Sequence, residues 1–222
     1  MTEPLQTGAT IGILGGGQLG RMLSVAAARL GFRTHIFEPG ANPPAADVAH
    51  AVTTAPYDDH KALEAFARAC DIVTFEFENI PTEALDVVEA ITPLRPGREA
   101  LRISQDRLTE KTFLGDLGLR VAPFADVTDV ASLKAAVAQI GTPAILKTRR
   151  FGYDGKGQAR LKDDADLDAA WAEMNGAPSV LEGFVNFSAE ISVIAARSAT
   201  GEVACFDPGE NVHRDGILHT TT

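Results

Sequence analysis

The chain has 222 residues, of which 45% are hydrophobic and 23% charged, as expected of a globular protein with one large domain or two small ones. Its formal net charge of −10 disfavours nucleic acid as the main partner, because a polyanion requires a basic surface. No apolar stretch approaches the roughly 20 residues that span a bilayer, and the amino terminus has no signal-peptide pattern, so we expect a cytoplasmic protein without a membrane partner.

The first hundred residues alternate short apolar runs with helical patterns, which is typical of a parallel α/β sheet. The predicted elements are a strand at 11–14, a helix at 19–30, a strand at 34–37, a helix ending at Ala69, a strand at 72–75 and a helix opened by Pro81. Asp58 or Asp59 can cap the helix that ends at Ala69. EPGANPP breaks regular structure because proline has no backbone N–H to donate. LRPGRE indicates a boundary, and we predict a Rossmann-like domain at 1–104.

Residues 105–222 form the second predicted domain. Its predicted elements are a helix through Arg107, Lys111 and Leu117 that Gly118 stops, a helix at 130–140, strands at 144–148 and 159–161, a helix containing Trp171, a strand at 179–182, and two pairing strands at 189–197 and 203–207. The final GILHTTT has neither a capping element nor a polar tail. We therefore expect this domain to be incomplete at its carboxyl end.

The two cysteines, Cys70 and Cys205, do not have the spacing of metal ligands. Cys70 ends a predicted helix and Cys205 lies in a predicted strand. We expect both to be buried thiols in a reducing compartment.

The glycine-rich stretch GILGGGQLGRML, at 12–23, contains GGGQLG, which fits the G-x-G-x-x-G pattern of dinucleotide-binding proteins. Glu38 follows Gly17 by 21 positions, close to the spacing of an acid that holds a ribose hydroxyl. A glycine turn before a helix offers backbone amides to an anion, and the helix dipole favours negative charge there. The pattern thus predicts NAD, another phosphate-bearing ligand, or tight packing without a ligand.

A second glycine-rich stretch, ILKTRRFGYDGKGQ, combines a flexible loop with positive charge. Lys147 ends an apolar strand, from which a long cation can reach a phosphate. The loop glycines permit closure over a ligand, and its cations supply the charge that phosphoryl transfer needs. These residues are Gly152, Gly155, Gly157, Arg149, Arg150 and Lys156. A basic hairpin turn is the alternative, but a dehydrogenase has no use for this stretch.

The third stretch, VLEGFVNFSAEISV, places an acid at a strand end before a short apolar connector. Such a connector can present backbone groups to an adenine edge. Glu182 would then accept a hydrogen bond from the exocyclic amine, and Glu190 could hold ribose hydroxyls. Acids at strand ends are also common as solvated groups, and that alternative stays open here.

These motifs together resemble a known enzyme family. KTRRFGYDGKGQ followed by LEGFVNFSAEISV is similar to the ATP-grasp family. With GGGQLGRML, TFEFENI and DRLTEK, the ordered set resembles the N5-carboxyaminoimidazole ribonucleotide synthetases of that family. The resemblance covers nearly the whole chain. It implies an α/β fold in which a Rossmann-like, parallel-sheet pre-ATP-grasp domain for the substrate precedes an ATP-grasp α+β region.

The resemblance implies two sets of binding residues. ATP would be held by Arg107, Lys147, Gly152, Tyr153, Asp154, Gly155, Lys156, Gly157, Gln158, Glu182, Gly183, Phe184, Val185, Glu190 and His213. The phosphate of aminoimidazole ribonucleotide would meet Gln18 and Leu19, and its ring and ribose would meet Glu76, Tyr153, Asp154 and Lys156. Tyr153, Asp154 and Lys156 would be catalytic. Lys156 stands where the family often has arginine, so the charge is kept and the planar fork is lost.

The implied activity is an ATP-dependent ligase reaction of purine biosynthesis. Bicarbonate and ATP would form carboxyphosphate, which would carboxylate 5-aminoimidazole ribonucleotide to N5-carboxyaminoimidazole ribonucleotide. Mg²⁺ would bridge the ATP phosphates. The family's metal ligands are expected in a carboxyl-terminal portion of a longer chain, so the resemblance assigns no metal ligand among these residues. It also implies a homodimer.

Three other functions are compatible with parts of the sequence. Another ATP-grasp ligase, such as the formate-dependent glycinamide ribonucleotide transformylase, carries small residues where this chain has Tyr153 and Asp154. An NAD-dependent dehydrogenase would need Glu38 on a ribose and gives no role to Lys147. A non-catalytic binding module would bind nucleotide without turnover.

Overall fold

The computed structural model describes residues 4–152, 156–163, 166–214 and 217–222. The chain divides into two compact units, residues 1–105 and 106–222. None of the helices within the described ranges is both long and apolar enough to cross a membrane.

The first unit is built on a parallel four-stranded sheet with the order β3–β2–β1–β4. Its strands are β1 (Thr10–Leu14), β2 (Arg33–Phe37), β3 (Ala51–Thr53) and β4 (Ile72–Phe75). Its helices are α1 (Gln18–Arg29), a 3-10 helix (Pro44–Asp47), α2 (His60–Arg68), α3 (Thr82–Glu89) and α4 (Arg98–Ser104). The predicted Rossmann-like parallel sheet is therefore confirmed.

The core of this unit forms where α2 and α3 pack against the sheet. Phe66 of α2 is buried against Phe37 of β2, with ring centroids 5.4 Å apart in an edge-to-face arrangement. Gly12 of β1 faces the same core, and a Cβ there would lie 2.8 Å from atoms of Phe66, Cys70 and Val73. Only glycine therefore lets the helix layer approach β1 this closely.

The structure decides one open alternative in the first unit and adds elements that were not predicted. Asp59, and not Asp58, caps α2 by accepting from the amide of Ala62. The short 3-10 helix begins at Pro44, the last residue of EPGANPP, and α4 begins at Arg98 within LRPGRE. The strand β3 and the helix α4 were not predicted, because three and seven residues are too few to show a hydrophobic period.

The second unit begins with α5 (Arg107–Asp116) and contains an antiparallel sheet with the order β5–β8–β6–β7. The sheet strands are β5 (Phe124–Val127), β6 (Ala144–Thr148), β7 (Gln158–Leu161) and β8 (Ser179–Gly183), with helices α6 (Val130–Ile140) and α7 (Leu167–Glu173). Five further strands follow: β9 (Glu190–Ser192), β10 (Ala195–Arg197), β11 (Val203–Cys205), β12 (Gly209–Arg214) and β13 (Ile217–Thr221). They form a β10–β11 ribbon and a β13–β12–β9 sheet.

The four-stranded sheet of the second unit has one apolar face and one charged face. Ala144, Leu146 and Leu181 are buried in a core with residues of α6 and α7. The alternate positions carry Lys147 on β6 and Glu182 on β8, because successive side chains of a strand point to opposite faces. This second face, which also carries the buried Val180, therefore contributes charged groups to a polar site.

Two expectations for the last third of the chain are wrong in part. The single strand predicted at 189–197 is two strands, and only Ala195–Arg197 pairs with Val203–Cys205, whereas Glu190–Ser192 pairs with the unpredicted β12. Cys205 is exposed and not buried, because neither face of the two-stranded ribbon is covered in the described chain. Cys70 is buried as expected, and burial raises the pKa of its thiol to about 12.

Candidate functional site

The glycine-rich turn of the first unit lies between β1 and α1, at the carboxyl edge of the parallel sheet. Two carboxylates reach this turn from the ends of β2 and β4, the strands on either side of β1. Oε2 of Glu38, after β2, accepts from the Gly16 amide at 2.8 Å, and Oε1 of Glu76, after β4, accepts from the Gly17 amide at 3.0 Å. Ligands of open α/β sheets bind at this edge, so the turn and the two acids form one candidate site.

The role expected for Glu38 is not the one the structure shows. Its carboxylate binds the turn itself through Gly16, and its other oxygen accepts from the Gly40 amide at 2.9 Å. The amides of Gly16 and Gly17, which a pyrophosphate would need, therefore already donate to side chains of the protein. The next two amides, of Gln18 and Leu19, make no hydrogen bond within the described chain, and α1 has no side-chain cap. This arrangement suits a single phosphate at the start of the helix better than a dinucleotide.

Packing requires two of the glycines in this turn. Gly15 has a φ of +103°, a conformation that residues with a Cβ rarely adopt. A Cβ on Gly20 would lie 2.7 Å from the Gly15 carbonyl oxygen, so α1 rests directly on the turn. The G-x-G-x-x-G spacing therefore follows from tight packing in this unit and does not depend on NAD.

Glu76 is held in an environment that disfavours its charge. Burial raises the pKa of its carboxyl, the amide of Gly17 lowers it, and the neighbouring acids Glu38 and Glu78 raise it further, with a net increase. Burial also raises the pKa of Tyr57, and the carboxylates of Glu38 and Glu76 raise it further. The Tyr57 hydroxyl is buried without a hydrogen-bond partner among the described residues. Sequence reasoning did not find Tyr57.

The candidate site of the second unit is centred on Glu182. Its carboxylate accepts from Lys147 at 2.9 Å through Oε2 and lies 3.2 Å from the Lys111 ammonium through Oε1. Lys147 and Glu182 were predicted from the sequence and are brought together across neighbouring strands. Lys111 was not assigned a role, although DRLTEK places it four residues after Arg107, on the same face of α5.

The two lysines determine the ionisation of Glu182. Burial alone raises the pKa of a carboxyl, but the hydrogen bonds and charges of Lys147 and Lys111 outweigh burial, and the pKa of Glu182 falls below its usual value. Glu182 is therefore an anion in the folded chain. One carboxylate and two ammonium groups leave one positive charge in the cluster, which favours an anionic ligand.

Arg107 supports the base of the glycine-rich loop. Its guanidinium donates to the carbonyl oxygens of Thr148 at 3.2 Å and Gly152 at 3.0 Å. At the other end of the loop, Gly157 has a φ of +65°, and a Cβ there would lie 2.6 Å from Oγ1 of Thr148. Lys156 and Gly157 lead into β7, which begins at Gln158. The predicted site residues Tyr153, Asp154 and Gly155 lie outside the described residues.

The remaining predicted nucleotide residues lie on β8, the following connector and the last sheet. The amides of Gly183 and Phe184 donate to the carbonyls of Pro123 and Pro143, whereas Val185 makes no backbone hydrogen bond within the described ranges. The backbone of Val185 is thus available to a ligand edge. Glu190 of β9 and His213 of β12 lie together, with Oε1 and Nδ1 3.3 Å apart.

Asp106 connects α5 to the loop and yields a stability prediction. Its carboxylate caps α5 by accepting from the amides of Leu108 and Thr109, and it pairs with Arg149 at 2.8 Å. Burial opposes this charge, but Arg149 and the cap amides lower the pKa of Asp106. A lowered pKa means that the stabilisation is present above the ordinary carboxyl range and is lost as pH falls through the folded value.

We expect Asp106→Ala to reduce the free energy of unfolding of the second unit by about 1 to 2 kcal/mol at neutral pH. The matched control is Asp166→Ala, because Asp166 caps α7 through two amides without an arginine partner. Trp171, the sole tryptophan, lies in this unit, so urea unfolding can be followed by its fluorescence. Equal losses in the two variants, or a loss for Asp106→Ala that does not shrink as the pH falls into the acid range, would contradict the role given to Arg149.

Comparison with known proteins places both units in described families. Residues 8–105 match the ribonucleotide synthetase preATP-grasp domain, and residues 112–222 match the ATP-grasp domain. An N5-carboxyaminoimidazole ribonucleotide synthase of Brucella melitensis is 54% identical over 98% of this chain. The chain spans 61% of the length of that relative.

Solved structures of such enzymes have the same fold. A Staphylococcus aureus N5-carboxyaminoimidazole synthetase complexed with ADP superposes on 98% of the chain with a TM-score of 0.93 and 38% identity. An Aspergillus clavatus N5-carboxyaminoimidazole synthase in complex with ADP and 5-aminoimidazole ribonucleotide superposes on 96% with a TM-score of 0.85 and 28% identity. The chain covers 58% and 56% of those two chains. The chain therefore belongs to the ATP-grasp family, and its two units together match the N5-carboxyaminoimidazole ribonucleotide synthases of that family.

Proposed function

We propose that this chain contains the substrate-binding and nucleotide-binding units of an enzyme that carboxylates 5-aminoimidazole ribonucleotide with ATP and bicarbonate. The observation that carries the proposal is the match of both units, over 96% of the chain, to an enzyme solved with ADP and 5-aminoimidazole ribonucleotide. The Lys147–Glu182–Lys111 cluster supports it, because its excess positive charge suits a nucleotide phosphate.

The proposed reaction has two steps. A bicarbonate oxygen attacks the γ-phosphorus of ATP, so that the bond to the bridging oxygen breaks and ADP leaves, giving carboxyphosphate. The exocyclic amine of the ribonucleotide then takes up the carboxyl carbon, a proton leaves the nitrogen, and phosphate is released. Water hydrolyses carboxyphosphate, so a loop that closes over the intermediate protects it.

In this proposal the second unit binds ATP. Lys147 contacts the phosphates, the loop that Arg107 supports covers them, and the backbone of Val185 meets the adenine edge. Glu190, which lies beside His213, accepts from ribose hydroxyls in this proposal. Tyr153, Asp154 and Lys156 would act on the ribonucleotide amine, as their position in the loop sequence suggests.

The first unit binds the ribonucleotide in the same proposal. The unpaired amides of Gln18 and Leu19 take the phosphate at the start of α1. Glu76 accepts from ribose hydroxyls through Oε2, while its Oε1 keeps the bond to the Gly17 amide. Bicarbonate, the cytoplasm and a homodimer are further parts of the proposal and rest on the resemblance to the family.

Magnesium belongs to the proposed chemistry, because a divalent ion neutralises developing charge in phosphoryl transfer. No three His, Cys, Asp or Glu side chains within residues 4–152, 156–163, 166–214 and 217–222 are grouped to hold a metal ion. These described residues therefore do not form a metal site by themselves.

The proposal is tested by calorimetry with ATP, 5-aminoimidazole ribonucleotide, NAD and NADP, using the protein expressed from its complete reading frame. We expect binding of ATP and of the ribonucleotide, and ADP release that depends on both the ribonucleotide and bicarbonate. Micromolar binding of NAD without binding of the ribonucleotide would support a dehydrogenase instead. Binding of ATP with formate-dependent, bicarbonate-independent turnover would support the transformylase reaction.

Glu76→Gln should weaken ribonucleotide binding by the first unit without lowering the stability of that unit. Because the folded chain raises the pKa of Glu76, ionisation of this carboxyl costs stability, and the neutral amide should be equally or more stable towards urea. The variant loses an anionic acceptor, so we expect ribonucleotide binding to weaken about 10-fold or more. Glu64→Gln, on the exposed surface of α2, is the control and should change neither measurement. Unchanged ribonucleotide affinity in Glu76→Gln would refute the assignment.

A further inference from the structure

Lys111 of α5 gives the Glu182 carboxylate a second cation. Each carboxylate oxygen has its own partner, Lys147 on Oε2 at 2.9 Å and Lys111 on Oε1 at 3.2 Å. The side chains of Lys111, Lys147 and Glu182 are only 16%, 24% and 10% exposed. Solvent therefore screens these charges poorly, and loss of any one of them affects the other two.

The position of Lys111 is determined by the helix that carries it. Arg107 and Lys111 are four residues apart on α5, and Arg107 extends to Thr148 and Gly152 while Lys111 extends to Glu182 on β8. The start of α5 is fixed by Asp106, which both caps the helix and pairs with Arg149. Lys111 thus approaches Glu182 from a different element than Lys147, which lies on β6.

Nucleotide binding by Lys147 would disturb this cluster. An ammonium that turns to a phosphate weakens its bond to Glu182, and a nearly buried carboxylate without a cation is costly. We propose that Lys111 is a positioning residue for ATP: it keeps the Glu182 carboxylate ionised and in place while Lys147 turns to the nucleotide phosphates. This role rests on the proposed function, because it presupposes that the second unit binds ATP.

Because of the charges around Glu182, this role can be tested by the pH dependence of ATP binding. Among the residues that the structure describes, the charged groups that face its carboxylate are Lys147 from β6 and Lys111 from α5, while β5 places the apolar Phe124 opposite it. Without Lys111, the carboxylate would take up a proton at a higher pH. The acid limb of ATP binding should then move upwards, which the loss of a purely structural contact would not cause.

The experiment is an ATP titration from pH 4.5 to 8 on wild type, Lys111→Met and Lys111→Arg, made in the protein expressed from its complete reading frame. In Lys111→Met we expect ATP affinity to fall about 10-fold at neutral pH and the acid limb to rise by about one pH unit. Lys111→Arg keeps the charge and should restore affinity to within about 3-fold of wild type. The control is Lys134→Met, which removes an exposed lysine paired with Asp168 and should match wild type.

The outcomes distinguish this role from the proposed function. Wild-type affinity and an unchanged pH profile in Lys111→Met overturn the role of Lys111 alone. Weakened binding without a pH shift, or with no rescue by Lys111→Arg, shows a structural contact and also overturns it. If Lys111→Met does not fold, Lys111→Gln is measured by the same two readouts. Absence of ATP binding by the wild type overturns the proposed function itself, and this role with it.

Discussion

Lys147→Met is expected to weaken ATP binding by about 100-fold, the loss of a charge-assisted bond to a phosphate in a poorly solvated site. Adenosine has no phosphate, so its affinity should change little. The fold should persist, because Glu182 keeps Lys111 as a partner at 3.2 Å. The measurement is a titration with ATP, ADP, AMP and adenosine, each monitored by calorimetry.

Two further variants make the result for Lys147 specific. Lys162→Met removes an exposed lysine one residue beyond β7 and should bind all four ligands like wild type. Lys147→Arg keeps the charge but changes its shape and reach. Its affinity for ATP should therefore lie between that of Lys147→Met and that of the wild type. Equal losses for ATP and adenosine in Lys147→Met would place Lys147 away from the phosphates and contradict the assignment.

Asp154→Asn should retain ATP binding and lose most of the ribonucleotide-dependent ADP release. A carboxylate beside Tyr153 in a basic loop can accept a hydrogen bond from the substrate amine and orient it for attack, and the amide cannot replace the charge. The expected cost is roughly 3 kcal/mol or more in the barrier, or about 100-fold in turnover. ADP release is measured with ribonucleotide and bicarbonate present, in the protein from its complete reading frame.

The control for Asp154 is Asp116→Asn, which changes an exposed aspartate at the last position of α5. It should keep wild-type turnover and wild-type ATP affinity. Near wild-type turnover in Asp154→Asn would refute the role of this carboxylate. A large loss of ATP affinity in that variant would indicate that Asp154 binds the nucleotide and not the substrate amine.

The elements that the sequence predicts best are those with long apolar runs and clear ends. The strands Ile72–Phe75 and Ala144–Thr148 and the helix Val130–Ile140 have the predicted bounds. In α6, Asp129 and Ser132 form a capping box and Gly141 follows the last turn, so local interactions alone define the helix. Such elements are visible because their signals lie within a few residues of one another.

The elements that the sequence did not predict depend on partners far along the chain. The strand β5 has only four residues, and its partner Ser179–Gly183 lies far along the chain, whereas β12 pairs with Glu190–Ser192 and also with the adjacent β13. Neither strand has a hydrophobic alternation that decides its conformation locally. The split of 189–197 into two strands has the same cause, because its halves pair with different partners.

The sequence by itself determined the fold class and the residue types of the nucleotide site. The order of apolar runs and glycines indicated a parallel sheet, and the resemblance of the ordered motifs to a known family implied an ATP-grasp region after it. Lys147 and Glu182 were both predicted at strand ends. These properties depend on residues that are neighbours in the chain or on motifs in a set order. They could be inferred before any tertiary contact was known.

Only the tertiary structure decided which groups share a charge or a hydrogen bond. It showed that Glu38, a ribose ligand only in the NAD alternative, accepts from the Gly16 amide, and it brought Lys111 to Glu182 across 71 positions of the chain. The energy of an ion pair or a hydrogen bond depends on distance and burial, and neither can be calculated from spacing along the sequence. The sequence therefore contains the charged groups of the site, and the packing of helix on sheet determines which of them neutralise each other and which remain for a ligand.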